Sequence, residues 1–273
     1  MRFRSATFAI ALAAGFAAPA LALTPQAPGK VTDAEAQRLL RETYGEPATL
    51  QGEWPATSGA RSEDGIAPTA RIVCADSGSD TLGPRRIAVC TSFADAGHAQ
   101  SGEVDLFLLL DPRDGETRAR IGAQERGVQT GGWGSPGEVT FQEIGPGRVA
   151  FALASGYSNM GWSTGHVSLY DTENGHAESD KFENVLSIAT DLSNGGACDP
   201  DEDRGCRARA IDLTCALRFD RNRIDAGRYA VSITVSGTRG GRKVARTIPV
   251  PFDAGHYRID AATLQRDGCD EGF

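Results

Sequence analysis

One serine in this chain stands where a nucleophile could. Gly161-Trp162-Ser163-Thr164-Gly165 matches G-x-S-x-G, the nucleophile-elbow pattern. The elbow works because a strand turns sharply into a helix and pushes the serine Oγ toward solvent. The flanks do not supply that bend. Tyr157-Ser158-Asn159-Met160 before it is not a strand pattern, and His166-Val167-Ser168-Leu169 after it reads as a strand rather than a helix. Ser163 is the catalytic candidate, with His256 and later carboxylates available on paper to complete a triad. The competing reading is a Gly-rich turn between strands.

Three carboxylates alternate at Asp199, Asp201 and Asp203, with Glu202 beside them and Gly205 following. Alternating carboxylates can converge on one hard cation, and calcium takes oxygen ligands in this way. Calcium is the one cofactor this sequence suggests. The spacing departs from an EF-hand: Arg204 stands where glycine is needed, and Ala210 where a bidentate glutamate is expected. A solvated acidic turn, partly neutralised by Arg204, is the competing reading.

Large aromatics set among glycines form a third group: Trp133 in Gly131-Gly132-Trp133-Gly134, and Tyr157 and Trp162 in the stretch 156–162. Rings in polar, Gly-rich segments can stack on sugars or anchor a protein partner. The bland alternative is that they fold back over the core, since Trp is usually largely buried. A hairpin over residues 138–154 would bring both stretches to one end of a sheet. The four histidines (His98, His166, His176 and His256) show no ligand spacing, and no P-loop, dinucleotide fingerprint or basic cluster occurs.

The elements that must position these residues follow a period of two. Ile87, Val89, Thr91 and Phe93 alternate with Arg86, Ala88, Cys90 and Ser92. Residues 103–111 are apolar on both faces, which predicts a central strand. Val139 and Phe141 lead through Pro146-Gly147 into Val149, Phe151 and Leu153, a hairpin with its turn spelled out. Ile211, Leu213, Cys215, Leu217 and Phe219 form the clearest alternation, and Tyr229, Val231, Ile233 and Val235 repeat it. Pro249 and Pro251 place two missing N–H groups on one side of the last strand, which marks a sheet edge.

Thr32-Asp33-Ala34-Glu35 reads as a capping box opening a short helix, with Gly45 as its stop. Residues 46–68 read as loop. The fold expected is all-β: a β-sandwich, or two packed antiparallel sheets, of about ten short strands behind one N-terminal helix. A small β-propeller is the alternative, disfavoured because no blade-length repeat is found.

Residues 1–22 read as a secretory signal peptide. Arg2 and Arg4 precede an apolar run, and Ala20-Leu21-Ala22 is a small-x-small cleavage signal. Residues 23–68 then form a helix-and-loop segment, and residues 69–273 a disulfide-stapled β domain. The periplasm or exterior is the compartment expected, with no membrane span in the mature chain. The six cysteines read as three disulfides between nearest neighbours: Cys74–Cys90, Cys198–Cys206 and Cys215–Cys269.

The full chain carries a net charge of −8, and loss of Arg2 and Arg4 would take it to −10. Such a surface repels phosphate backbones, so nucleic acid is excluded as a partner class. The function expected is a non-catalytic binding domain that recognises a protein or a cell-envelope glycan through Trp133, Tyr157 and Trp162. The alternatives are a secreted hydrolase using Ser163 and a calcium-stabilised structural protein of the envelope.

Overall fold

The computed structural model describes residues 30–56, 67–79, 83–113, 115–172, 180–198 and 204–270. Residues 1–22, read as a signal peptide, and the carboxylates Asp199, Asp201 and Asp203 lie outside the described residues.

Helix α1 (Asp33–Tyr44) begins where its capping residue directs. The Thr32 Oγ1 accepts a hydrogen bond from the Glu35 backbone N–H at 3.3 Å. The second half of the capping box is used differently. Glu35 accepts from the Ala119 backbone N–H at 2.8 Å and pairs with Arg38 at 2.9 Å, so it ties the helix to a distant connection. Gly45 ends the helix at φ +93°, a conformation that costs glycine little. The buried face of α1 carries Ala36, Leu39, Leu40 and Tyr44.

That face packs on a five-stranded antiparallel meander, β1 (Glu53–Pro55), β2 (Pro68–Asp76), β3 (Arg85–Phe93), β4 (Gly102–Leu110) and β5 (Arg120–Thr130), in chain order. Strand β4 lies inside the sheet and is apolar on both faces for a physical reason. Phe107 and Leu109 meet α1, whereas Val104, Leu106, Leu108 and Leu110 meet the second sheet. Strand β5 shows no alternation in sequence because it is a half-exposed edge strand. Strand β1, in the stretch read as loop, pairs with β2 through Trp54, which is buried.

The second sheet is a seven-stranded antiparallel meander. It comprises β6 (Glu138–Gly145), β7 (Arg148–Asn159), β8 (Trp162–Thr172), β9 (Phe182–Ser193), β10 (Ile211–Asp225), β11 (Arg228–Arg239) and β12 (Arg242–Val250). Helix α2 (Arg204–Arg207) precedes β10, and the short strands β13 (Phe252–Asp253) and β14 (His256–Tyr257) precede helix α3 (Ala261–Asp267). The two sheets pack face to face, with Phe151, Leu153 and Val139 against Ala88, Leu106 and Leu108. The architecture is an all-β sandwich with an N-terminal helix, assembled from fourteen strands among the described residues. Strand β12 is an edge, as expected; of the two prolines only Pro249 lies in it, because the strand ends at Val250 before Pro251.

The second sheet coils until β6 approaches β10 and β11. The Tyr257 hydroxyl donates to the Tyr229 carbonyl at 3.1 Å, and that of Tyr229 donates to Glu143 on β6 at 2.8 Å. A core of Ile144, Ala150, Leu169, Ile188, Ile233 and Val235 fills the enclosed side.

The cysteines pair as nearest neighbours: Cys74–Cys90, Cys198–Cys206 and Cys215–Cys269, at Cα separations of 5.7, 5.4 and 6.1 Å. Three disulfides suit an oxidising compartment. Among the described residues no helix is long and apolar enough to cross a membrane.

One buried polar cluster anchors α1. The Tyr44 hydroxyl donates to Asp105 Oδ2 at 2.5 Å, and Asp105 also accepts from Arg126 at 3.0 Å and from the Gly127 N–H at 2.7 Å. The guanidiniums of Arg71 and Arg126 lie 5.0 and 4.9 Å from the centre of the Tyr44 ring. Burial and the Asp105 charge push the Tyr44 phenol far above its ordinary range, so it stays a donor.

Candidate functional site

Strands β7 and β8 form a hairpin closed by Met160-Gly161, with φ of +50° and +82°. Two positive φ values in a two-residue turn match the right-handed twist of the strands. Strand β7 runs beyond its apolar alternation: Tyr157, Ser158 and Asn159 are strand residues, and the turn follows them. They carry no apolar alternation because the end of the hairpin is solvated.

Register sorts the hairpin's side chains by face. Ser155 pairs with His166, Tyr157 with Thr164, and Asn159 with Trp162. Directly opposed residues share a face, as do residues two apart on a strand. Tyr157, Asn159, Trp162, Thr164 and His166 therefore stand on one side. The Thr164 Oγ1 lies 3.4 Å from His166 Nε2 and also donates to the Asp191 carbonyl at 3.0 Å. Beside this face opens a cleft of about 570 Å³, lined by these residues with Leu192, Cys269 and Asp270. The Cys215–Cys269 disulfide holds the C-terminal wall in place.

The tip of the hairpin is fastened. The Gly161 carbonyl accepts from the Gly196 and Ala197 backbone N–H groups, both at 3.1 Å. A Cβ on Gly161 would overlap the Ala197 backbone nitrogen, so only glycine permits this approach.

Trp133 reaches the same region from the β5–β6 turn. It is 72% exposed and holds a left-handed φ of +56°, which is uncommon for a large side chain. Backbone bonds strap this turn to the β3–β4 loop: Trp133 N–H to the His98 carbonyl at 3.4 Å, and Gly134 N–H to the Gln100 carbonyl at 2.8 Å. The His98 ring then lies between two aromatics. Its centroid is 5.8 Å from Trp133 and 6.2 Å from Tyr157, the latter stacked at 22°. The three rings form one row, and Tyr157 joins that row to the cleft.

The structure thus brings together two of the three predicted rings, Trp133 and Tyr157, through a residue that sequence reasoning passed over. His98 sits in turn-like sequence, and no local signal places it between two distant rings. Trp162 is half-buried, packs against the core of the coiled sheet and serves as a wall of the cleft. Met160, 86% exposed at the hairpin tip, is a further apolar contact.

Ser163 is the second residue of β8, paired with Ser158 and Ser193. Ser163 also lines the cleft, although strand alternation points its side chain away from Thr164 and His166, and no histidine hydrogen-bonds to it among the described residues. His256 lies on β14, where its Nδ1 is 3.1 Å from the Ala254 carbonyl, and it lines a separate hollow with Leu186 and Ile188. No strand-to-helix bend surrounds Ser163, since β8 follows the turn directly. Among the described residues no three His, Cys, Asp or Glu side chains group to hold a metal ion.

No protein-family model matches this chain, and no curated protein or solved structure is significantly similar to it. Function is therefore read from the site alone.

Proposed function

We propose that the protein is an exported, non-catalytic binding domain whose Trp133–His98–Tyr157 row and adjoining cleft hold a glycan of the cell envelope. The observation that carries this reading is the ring row itself: aromatic faces exposed at the mouth of a cleft that also presents Asn159, Thr164, His166 and Asp270. Ring faces offer flat apolar area at low entropic cost, and a few fixed polar groups orient what lies upon them. Exposed large apolar side chains gathered in one place mark an interaction surface on a soluble protein. Export is supported by the signal-peptide pattern and by disulfides that need an oxidising compartment.

The test uses the oxidised protein, immobilised and offered purified sacculi and, separately, envelope extract. Wild type is expected to retain sacculus fragments, and Trp133→Ala and Tyr157→Ala to release them while keeping the wild-type melting temperature. Retention of fragments by both variants would overturn the site. Capture of a defined protein from the extract with no affinity for sacculi would overturn the glycan assignment and replace it with a protein partner.

A further inference from the structure

A second constellation lies away from the ring row, at the open end of the β7–β8 hairpin, where β7 begins and β8 ends. Asp171 on β8 is buried, and its Oδ2 accepts from two guanidiniums at once: Arg228 Nη2 at 2.9 Å and Arg148 Nη2 at 3.3 Å. Arg86 faces the same carboxylate electrostatically from β3, and its Nη1 donates to the Pro84 carbonyl at 3.2 Å. Two guanidiniums thus contact this carboxylate, and a third lies close enough to feel its charge.

Their donors are not used up. The Arg228 Nη1, Arg148 Nε and Arg86 Nε atoms are buried and meet no hydrogen-bond acceptor among the described residues. Arg228 as a whole is 2% exposed, and one face of its guanidinium lies 4.6 Å from the centre of the Phe252 ring. A buried donor of this kind that lacks a partner is costly, and a charged one more so. Burial pulls the Arg228 guanidinium below its ordinary range, with Asp171 opposing and the Arg148 charge adding to the fall. Burial acts in the same direction on Arg86. The guanidinium fork matches a planar or tetrahedral oxyanion with two parallel N–H bonds.

We infer that this end of the sandwich binds one small oxyanion, a carboxylate, phosphate or sulfate group, held by Arg228 and Arg148 with Arg86 behind them. Arg148, whose side chain is 21% exposed, is the route by which the anion enters. The site is separate from the ring row and does not depend on the function proposed for it.

The test is titration of the full oxidised protein with inorganic phosphate, sulfate or acetate at constant ionic strength, followed by calorimetry and by thermal melting. Wild type is expected to show saturable binding of one anion per chain with a matching rise in melting temperature. A preference for phosphate and sulfate assigns the site to an inorganic or phosphoryl group, and a preference for acetate to a carboxylate. Arg148→Gln keeps the Arg228–Asp171 pair and is expected to weaken binding at least about tenfold, the scale of one charge-assisted hydrogen bond. Trp133→Ala is expected to leave it unchanged.

Absence of saturable binding by wild type would overturn the inference without any variant. Equal affinity in Arg148→Gln would do the same. Glu173 and Glu178 lie outside the described residues, so a Glu173→Gln/Glu178→Gln variant is the control for an anion supplied by the chain. Binding seen in that variant and not in wild type would also overturn the proposal.

Discussion

Two glycines in two neighbouring hairpin turns provide a matched comparison. Gly147 closes β6–β7 at φ +67° with open space around its missing Cβ, and Gly161 closes β7–β8 at φ +82° against the Ala197 backbone. Alanine at either position must hold a left-handed backbone, which costs roughly 1–2 kcal/mol. It also stiffens the unfolded chain, which returns about 0.4–1 kcal/mol. Gly147→Ala should therefore destabilise by about 0–1.6 kcal/mol. Gly161→Ala bears the same strain and must also part the turn from Gly196 and Ala197. That loses two backbone hydrogen bonds to the Gly161 carbonyl, each worth about 0.5–1.5 kcal/mol net. The sum is about 1–4.6 kcal/mol. At about 2–4 °C per kcal/mol for a chain of this size, Gly161→Ala should melt about 2–18 °C lower than wild type, and Gly147→Ala no more than about 6 °C lower. Thermal unfolding by circular dichroism reads both values. Capture of sacculi at low temperature reads whether Tyr157 and Trp162 have left their places. Equal melting of the two variants would refute the claim that contact at Gly161 fastens the hairpin.

Other expectations follow from the buried groups. Tyr44→Phe removes one of three partners of Asp105 and should cost about 1–2 kcal/mol; a melting temperature equal to that of wild type would show that the hydroxyl holds nothing. Burial holds the Glu103 carboxyl above its ordinary range, with Asp105 adding to the rise and Arg71 opposing it. The folded protein therefore binds this proton more tightly than the unfolded chain, and stability is lost as pH rises from the unfolded value through the raised folded one. Glu103→Gln should melt higher than wild type at neutral pH, with the gap closing below about pH 4, and an unchanging gap would defeat this account. Cys215–Cys269 spans 54 residues and Cys74–Cys90 spans 16, so serine replacement of the first pair should cost about 1 kcal/mol more on the chain-entropy model. The reverse order would place the effect in native packing instead. A fluorophosphonate probe should leave Ser163 unmodified, because no histidine hydrogen-bonds to it among the described residues, His166 instead meeting Thr164; labelling abolished by Ser163→Ala would contradict that reasoning.

Much of the scaffold was legible because strands with one buried face write their period into the sequence. The alternation at Ile211–Phe219, the Pro146-Gly147 turn and the double apolar face of β4 each matched a strand environment found in the structure. Strand β5 escaped because an edge strand with exposed residues on both sides carries no alternation. Strand β1 escaped because three residues are too few to show a period. Part of the candidate site was legible too: large rings among glycines singled out Trp133 and Tyr157, which the fold brings to either side of His98. The G-x-S-x-G stretch sits in a hairpin and not at a strand-to-helix bend, as its flanking residues implied in part.

Sequence alone determined the all-β class, the helix start at Thr32 and the probe-worthy rings, because capping and hydrophobic period are local properties. The nearest-neighbour disulfides were a wager among fifteen pairings that sequence could not rank. Only the tertiary structure decided that His98 lies between Trp133 and Tyr157, that Cys269 walls the cleft, and that Arg86, Arg148 and Arg228 face one carboxylate. Those arrangements join residues tens to more than a hundred positions apart. They depend on strand register and on the coil of the seven-stranded sheet, where one slipped residue would send every side chain to the other face.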